Sequence, residues 1–84
     1  MSKLQTIGAL VSDGAVQFWI DRLVQTKPLT WQRNEAHAGL RGAVALAVGA
    51  EKAVSIEVAH RAIDSTIVVD EQRIPLNFVR QQTA

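Results

Sequence analysis

Apolar residues recur at helical spacing in the segment that precedes Pro28, and this pattern constrains the fold more than any other in the chain. The stripe consists of Val16, Trp19, Ile20, Leu23 and Val24. Its members fall at positions i, i+3, i+4, i+7 and i+8, which is typical of an amphipathic helix with one buried face. Asp13 is placed to cap the N-terminus, and Pro28 ends the helix because it pushes the preceding residue, Lys27, out of the α region. The sequence therefore predicts a helix between Asp13 and Lys27.

Two further helices are predicted, one on each side of this segment. The pattern Ser-Lys-Leu-Gln at 2–5 matches the capping box, in which a hydroxyl and an amide bind the free backbone groups of the first turn. Thr30 or Asn34 is placed to cap a third helix that runs to about Val48, where Gly49 supplies a left-handed stop. Small residues recur along this third helix at every fourth position, so a neighbouring helix can approach it closely.

The segment 51–63 fits two structures. Residues 54–58 alternate between apolar and polar side chains like a half-buried strand. The apolar residues of the segment also fit one face of a helix, namely Val54, Val58, Ala59, Ala62 and Ile63. The run Ala-His-Arg-Ala-Ile at 59–63 continues the helical period and lacks strand-forming residues. We therefore predict a helix over 51–63 and keep the strand as the alternative.

The last part of the chain predicts a two-stranded β-hairpin over 66–79. Residues 66–69 are a β-branched run, 70–73 form a polar loop, and 74–79 alternate in polarity. Pro75 cannot donate to a backbone ladder, so the second strand is predicted either to lie at an edge of the sheet or to pair only at its far side. The fold class expected is α+β, with three to four short helices followed by a C-terminal two-stranded hairpin. We expect a single domain over 1–84, frayed at about 81–84.

The composition excludes several classes of site and partner. The 84 residues include no cysteine, which excludes disulfides and thiolate metal sites and suits a cytoplasmic protein. The formal net charge is +1, far below the density of cations that is usual in nucleic-acid-binding domains. The longest apolar stretch, 42–50, is too short for a membrane span, which needs about 20 residues.

No motif predicts a catalytic, metal or cofactor site. His60 and Asp64 stand at the i, i+4 spacing, but such a pair more often forms a helical hydrogen bond than a zinc site. Asp70 and Glu71 lie in the predicted hairpin loop, where turn formation already explains the aspartate. The glycines form neither a dinucleotide-binding nor a Walker pattern. We therefore predict a non-enzymatic protein without a cofactor or a metal.

Protein binding is the leading functional hypothesis. Trp31 and Arg33 stand close together in a polar stretch, and tryptophan and arginine are the residues most enriched at binding hot spots. With Arg22 and Lys27 they form the predicted contact surface. The predicted seam of a homodimer is the small-residue stripe of the third helix, Gly39, Ala43 and Ala47. The sequence thus predicts a small regulatory or adaptor protein that binds another protein, as a homodimer.

A DNA-binding transcriptional regulator is the alternative hypothesis. The segment 44–58 resembles a helix-turn-helix in placing a glycine at the turn. In this hypothesis the helix 51–63 reads DNA with Lys52, His60 and Arg61, and the hairpin 66–79 is a wing. Ser55 occupies a position at which that motif has a large apolar residue, so protein binding is preferred.

Overall fold

Four helices and a three-stranded antiparallel sheet make up the computed structural model, which describes residues 2–27, 31–49 and 51–81. The first three helices are α1 (Lys3–Ser12), α2 (Gly14–Gln25) and α3 (Trp31–Val48). The strands are β1 (Val54–Glu57), β2 (Thr66–Val69) and β3 (Gln72–Pro75), and α4 (Leu76–Gln81) follows β3 directly. The α+β class is confirmed, but the sheet has three strands in place of the predicted two.

Capping side chains begin the first two helices as the sequence predicts. The Gln5 backbone N–H donates to Ser2 Oγ at 3.2 Å, and the Ser2 N–H donates to Gln5 Oε1 at 3.0 Å, which completes the capping box. The Val16 N–H donates to Asp13 Oδ1 at 3.0 Å at the start of α2. Because these contacts join residues that are close in sequence, they can be predicted before the fold is known.

The third helix ends where predicted but does not begin at Asn34. α3 ends at Val48, and the following Gly49 has a φ of +109°, the left-handed conformation expected of a glycine stop. Asn34 lies inside the first turns of α3, so its predicted capping role is wrong. Thr30, the other candidate cap, lies outside the described residues.

The predicted helix over 51–63 is wrong, and the strand alternative is correct for its first part. Residues 54–57 form β1, which pairs with β2 so that Val54 lies opposite Val69 and Ile56 opposite Ile67. A short 3-10 turn occupies Ala62–Asp64. The strand conformation buries Ile56 and exposes its neighbours, and pairing with β2 supplies backbone hydrogen bonds. For 54–57 this long-range pairing outweighs the local helical pattern, and 58–61 form the connection to the 3-10 turn.

The hairpin turn is shorter than predicted, and it contains only Asp70 and Glu71. Val69 lies opposite Gln72, so Gln72 and Arg73 belong to β3 and not to a four-residue loop. Asp70 and Glu71 have φ values of +48° and +71°, as a two-residue turn of the twisted type I′ class requires. Both are non-glycine residues in the left-handed region, which carries a conformational cost.

A glycine at position 71 is therefore expected to stabilise the protein. We expect Glu71→Gly to raise the free energy of unfolding by about 1 kcal/mol, because the Cβ atom that disfavours positive φ is removed. Urea denaturation followed by circular dichroism measures the change. Glu71→Ala is the matched control, because it removes the charge and keeps the Cβ atom. An equal gain in both variants would show that charge, and not backbone conformation, causes the effect.

The second predicted strand ends at Pro75, and residues 76–79 are helical. Leu76 and Val79 are fully buried and stand three residues apart, so one face of α4 packs into the core. The prediction of a strand over 74–79 is wrong beyond Pro75. Pro75 does lie on an edge strand, as predicted. Pro75 lies opposite Thr66. In an antiparallel ladder, residue pairs that exchange backbone hydrogen bonds alternate with pairs that do not, and the pair that closes a two-residue turn exchanges them. Counting from that pair, Val69 and Gln72, the pair of Thr66 and Pro75 is one that does not exchange hydrogen bonds.

The sheet has one buried and one exposed face. Ile56, Ile67 and Ile74 lie opposite one another across the three strands and belong to the core. On the exposed face, the Arg73 guanidinium donates two hydrogen bonds to the Glu57 carboxylate across β2. These hydrogen bonds, with a smaller effect of the positive charge, hold the pKa of Glu57 below its usual value. The core and the helices therefore lie on one side of the sheet.

Candidate binding surfaces

Helices α2 and α3 pack closely at a glycine. Added to Gly39, a Cβ atom would lie 2.5 Å from Cδ2 of the Trp19 ring, which is closer than real Cβ atoms approach other heavy atoms. In the same predicted dimer seam, Ala43 is buried in the core and Ala47 is half-buried against it. The stripe Gly39, Ala43 and Ala47 therefore packs within one chain.

The neighbouring stripe of α3 is exposed to solvent. Its two ends carry Trp31, which is 67% exposed, and Leu46, which is 84% exposed. Between them lie Ala38 and Gly42, both exposed, and a Cβ atom at Gly42 would have no contact within 4 Å. Together with Glu35, these residues follow one another along α3 at intervals of three or four positions. Residues at this spacing lie on the same side of a helix.

Phe18 of α2 lies beside the middle of this stripe. α2 and α3 run antiparallel. Trp19 of α2 packs on Gly39 of α3. Further along α2, Arg22 Nη2 lies 3.8 Å from Oε1 of Glu35, which comes earlier in α3. Phe18 precedes Arg22 by one turn, so it lies near Ala38, one turn after Glu35. Phe18 is 55% exposed and packs edge-on against the neighbouring Trp19 ring, with centroids 5.1 Å apart. We call this surface the α2–α3 face; it comprises Phe18, Trp31, Ala38, Gly42 and Leu46.

The predicted contact residues lie in different places. Trp31 belongs to the α2–α3 face, and Arg22 lies at its margin in a half-exposed ion pair with Glu35. Lys27 is exposed after the end of α2 and lines a shallow concavity of about 400 Å³ together with Gln32. The structure thus pairs Arg22 with Glu35, one turn of α3 from Trp31, and places Lys27 beyond the end of α2.

Arg33, the fourth predicted contact residue, is 8% exposed and holds a loop in place. Its guanidinium donates to the backbone carbonyl oxygen of Ala59 at 2.5 Å and to that of His60 at 3.1 Å. Both carbonyls belong to the segment that connects β1 to the 3-10 turn. Arg33 therefore connects α3 to this segment, a role that sequence reasoning missed because the two regions are distant in the chain.

A second concavity, of about 410 Å³, lies where α2, α3 and this connecting segment meet. Its lining contains basic, hydroxyl and apolar side chains and consists of Val24, Thr26, Arg33, His60, Arg61, Ala62 and Ile63. We call it the basic concavity. Arg61 Nε lies 3.5 Å from Asp64 Oδ2 in an exposed pair. None of the described residues that line it carries a carboxylate.

The helix-turn-helix predicted as the alternative is not formed, because 51–63 is not a helix. Its reader helix is absent, because residues 54–57 are a strand within the sheet. Of the residues predicted to contact DNA, His60 and Arg61 line the basic concavity, whereas Lys52 pairs with Asp70 at 3.8 Å beside the hairpin turn. The three therefore do not form one reading surface on a helix.

The part of the chain that the structure describes contains neither a metal site nor a membrane-spanning helix. Within residues 2–27, 31–49 and 51–81, no three His, Asp or Glu side chains converge as a metal site requires. No helix among these residues combines the length and apolarity needed to cross a bilayer. No protein-family model, curated protein or solved structure matches the chain.

Proposed function

We propose that this chain is a small non-enzymatic regulatory or adaptor protein that acts by binding another protein through the α2–α3 face, and that its partner is a second copy of itself. One observation carries the proposal. Among the described residues, six large apolar side chains are exposed, and three of them, Phe18, Trp31 and Leu46, lie on this one face. Concentrated exposed apolar surface is characteristic of protein interfaces. We place the protein in the cytoplasm, which suits a chain without cysteine.

The shape of the face favours self-association. Large side chains stand at its two ends, Trp31 and Leu46, and small ones, Ala38 and Gly42, lie between them. The midpoint of residues 31 and 46 falls beside Ala38. Two copies of α3 that cross antiparallel at this midpoint therefore place Trp31 of each over Leu46 of the other, as a two-fold axis requires. The small residues at the crossing allow the two helix backbones to approach closely.

The charges along α3 agree with this pairing. When Trp31 lies opposite Leu46 of the second copy, Glu35 lies opposite Gly42 of that copy and beside its Arg41. Glu35 and Arg41 are exposed in the single chain and have opposite charges. Their approach adds attraction, and a parallel pairing would instead place like charges together.

Analytical ultracentrifugation of matched leucine variants tests the proposal. The chain has a mass of 9.2 kDa, and we expect about twice this mass at high micromolar concentration. Leu46→Glu should weaken the dimer by about 30-fold or more, because the charge loses its hydration in the interface. Leu4→Glu is the control, since Leu4 is 82% exposed on α1, outside the face.

Two results would contradict the proposal. A wild-type chain that stays at 9.2 kDa throughout the concentration range would exclude the second copy as partner. An equal loss of association in Leu4→Glu and Leu46→Glu would show that the α2–α3 face is not the interface. Circular dichroism spectra of both variants establish that each remains folded.

A further inference from the structure

We infer that Glu35 and Arg41 determine which partner the α2–α3 face accepts and in which orientation. Their role depends on the proposed dimer, whose specificity it explains. The Asp, Glu, Lys and Arg side chains of α3 are Arg33, Glu35 and Arg41. Arg33 is buried, with its guanidinium bonded to backbone carbonyl oxygens, whereas Glu35 and Arg41 are exposed. These two side chains are therefore the charges that α3 offers to a partner.

The two charges lie on opposite sides of the point at which the helices of the dimer cross. Glu35 precedes Ala38 by three residues, and Arg41 follows it by three. Antiparallel helices therefore bring Glu35 of each copy to Arg41 of the other, and the two-fold axis produces this contact twice. Parallel helices in register would instead bring like charges together, which repel each other. The charge pattern thus selects the antiparallel orientation.

Neither charge is strongly held within its own chain. Glu35 Oε1 lies 3.8 Å from Nη2 of Arg22, which is too far for a hydrogen bond, and both side chains are about half exposed. Exposed ion pairs of this kind contribute little stability. Among the residues that the structure describes, none forms an ion pair or a hydrogen bond with the Arg41 side chain. Glu35 can therefore bind Arg41 of a second copy without losing a strong contact.

A partner without a matching cation is rejected because Glu35 lies within the apolar stripe. It stands between Trp31 and Ala38 at helical spacing, so a helix that packs along Trp31 and Leu46 covers it. A carboxylate that is removed from water without a positive partner is strongly unfavourable, and a guanidinium that donates to it offsets this cost. The removal of water also strengthens the attraction between the paired groups. Glu35 therefore makes binding conditional on a cation at the position that Arg41 occupies in the second copy.

Exchange of charge at the two positions tests this assignment by native mass spectrometry. Glu35→Arg places two arginines opposite each other, and Arg41→Glu places two carboxylates there. Each variant alone should therefore dimerise at least about tenfold more weakly than the wild type. In a mixture, the new arginine of one variant meets the new glutamate of the other, and the native Glu35 meets the native Arg41. We expect this heterodimer to form with an affinity within about threefold of the wild-type dimer. The two variants differ in mass, which distinguishes the heterodimer from either homodimer.

A second pair of variants controls for net charge. Glu71→Arg and Arg61→Glu make the same changes of charge at exposed positions outside the α2–α3 face, one in the hairpin turn and the other before the 3-10 turn. Each of these variants alone should dimerise like the wild type, and their mixture should contain homodimers and heterodimers in the statistical ratio. Circular dichroism spectra establish that all four variants are folded.

The outcomes separate this assignment from the proposed dimer itself. If the wild type dimerises and both Glu35→Arg and Arg41→Glu dimerise equally well, the two charges do not set specificity, and the dimer stands without them. An equal preference for the heterodimer in the control pair would attribute the effect to net charge and overturn the assignment as well. A wild-type chain that stays monomeric in the same experiment would overturn the proposed function, and the role of Glu35 and Arg41 with it.

Discussion

Replacing Arg33 with methionine is expected to lower the free energy of unfolding by about 3 kcal/mol. The guanidinium bonds to the carbonyl oxygens of Ala59 and His60 are partly buried, and methionine fills similar space but offers no donor. Each carbonyl left without a partner costs about 1–3 kcal/mol, and hydrogen bonds to a charged donor are among the stronger ones. The segment after β1 also loses its attachment to α3. Urea denaturation measures the total loss.

A second arginine on the same pair of helices provides the control. Arg22 is exposed and has a 3.8 Å ion pair with Glu35, and exposed pairs contribute about 0–1 kcal/mol. Arg22→Met should therefore change the free energy of unfolding by less than about 1 kcal/mol. If both methionine variants lose the same amount of stability, the contacts of Arg33 are not structural. Faster amide exchange confined to residues 58–61 in Arg33→Met would show that this segment is the part released.

Alanine substitutions at two glycines of α3 are expected to have opposite effects. At Gly39 the new Cβ atom would lie 2.5 Å from the Trp19 ring, so α2 and α3 must separate or the ring must move. Overpacking of this kind costs about 1–3 kcal/mol, which exceeds the gain of about 1 kcal/mol in helix propensity. Gly39→Ala should therefore destabilise the protein by about 1–2 kcal/mol.

Gly42 is the matched control for this prediction. It lies one turn further along the same helix, and its added Cβ atom would have no heavy atom within 4 Å. Gly42→Ala should stabilise the monomeric state by about 0.5–1 kcal/mol through helix propensity alone. Thermal unfolding at low protein concentration measures both variants without a contribution from association. Stabilisation by both substitutions would mean that Trp19 does not pack on Gly39.

The helices are predictable from the sequence because their signals are local. The capping residues Ser2 and Asp13 bind backbone groups within three residues of themselves, and the apolar stripe of α2 repeats within the helix. Gly49 carries its own signal as well, since few other residues adopt its positive φ. None of these features depends on a distant part of the chain.

The strand β1 and the start of α4 are less predictable because distant contacts decide them. Ile56 lies opposite Ile67 in the core, and this pairing is absent from any short window of sequence. The helical pattern of 58–63 does not form an α-helix, because 58–61 connect β1 to the 3-10 turn and the carbonyl groups of Ala59 and His60 accept hydrogen bonds from Arg33. At the other end, Ile74, Leu76 and Phe78 fit a strand by alternation, whereas the burial of Leu76 and Val79 fits a helix, and only the position of the core distinguishes the two.

The binding face that we propose lies one position along α3 from the seam that the sequence predicts. Two stripes of small residues run side by side, one through Gly39 and Ala43 and the other through Ala38 and Gly42. The sequence alone does not show which stripe faces α2. In the structure the Trp19 ring requires the space above Gly39, which turns Gly42 toward solvent. The basic concavity was missed for a similar reason, since Arg33 meets its partners about 26 residues later in the chain.

The proposed contact between Trp31 of one copy and Leu46 of the other offers the most direct test of the central proposal, which is that two copies bind through the α2–α3 face. Both residues belong to α3, and at about 1.5 Å per residue they lie about 22 Å apart in one chain. A nuclear Overhauser effect between the Trp31 ring and the Leu46 methyl groups can therefore arise only between chains. In an isotope-filtered experiment on a mixture of labelled and unlabelled protein, we expect this effect to appear and to be lost in Leu46→Glu. A dimer that lacks it, or a protein that stays monomeric at the millimolar concentrations of the experiment, would contradict the proposal.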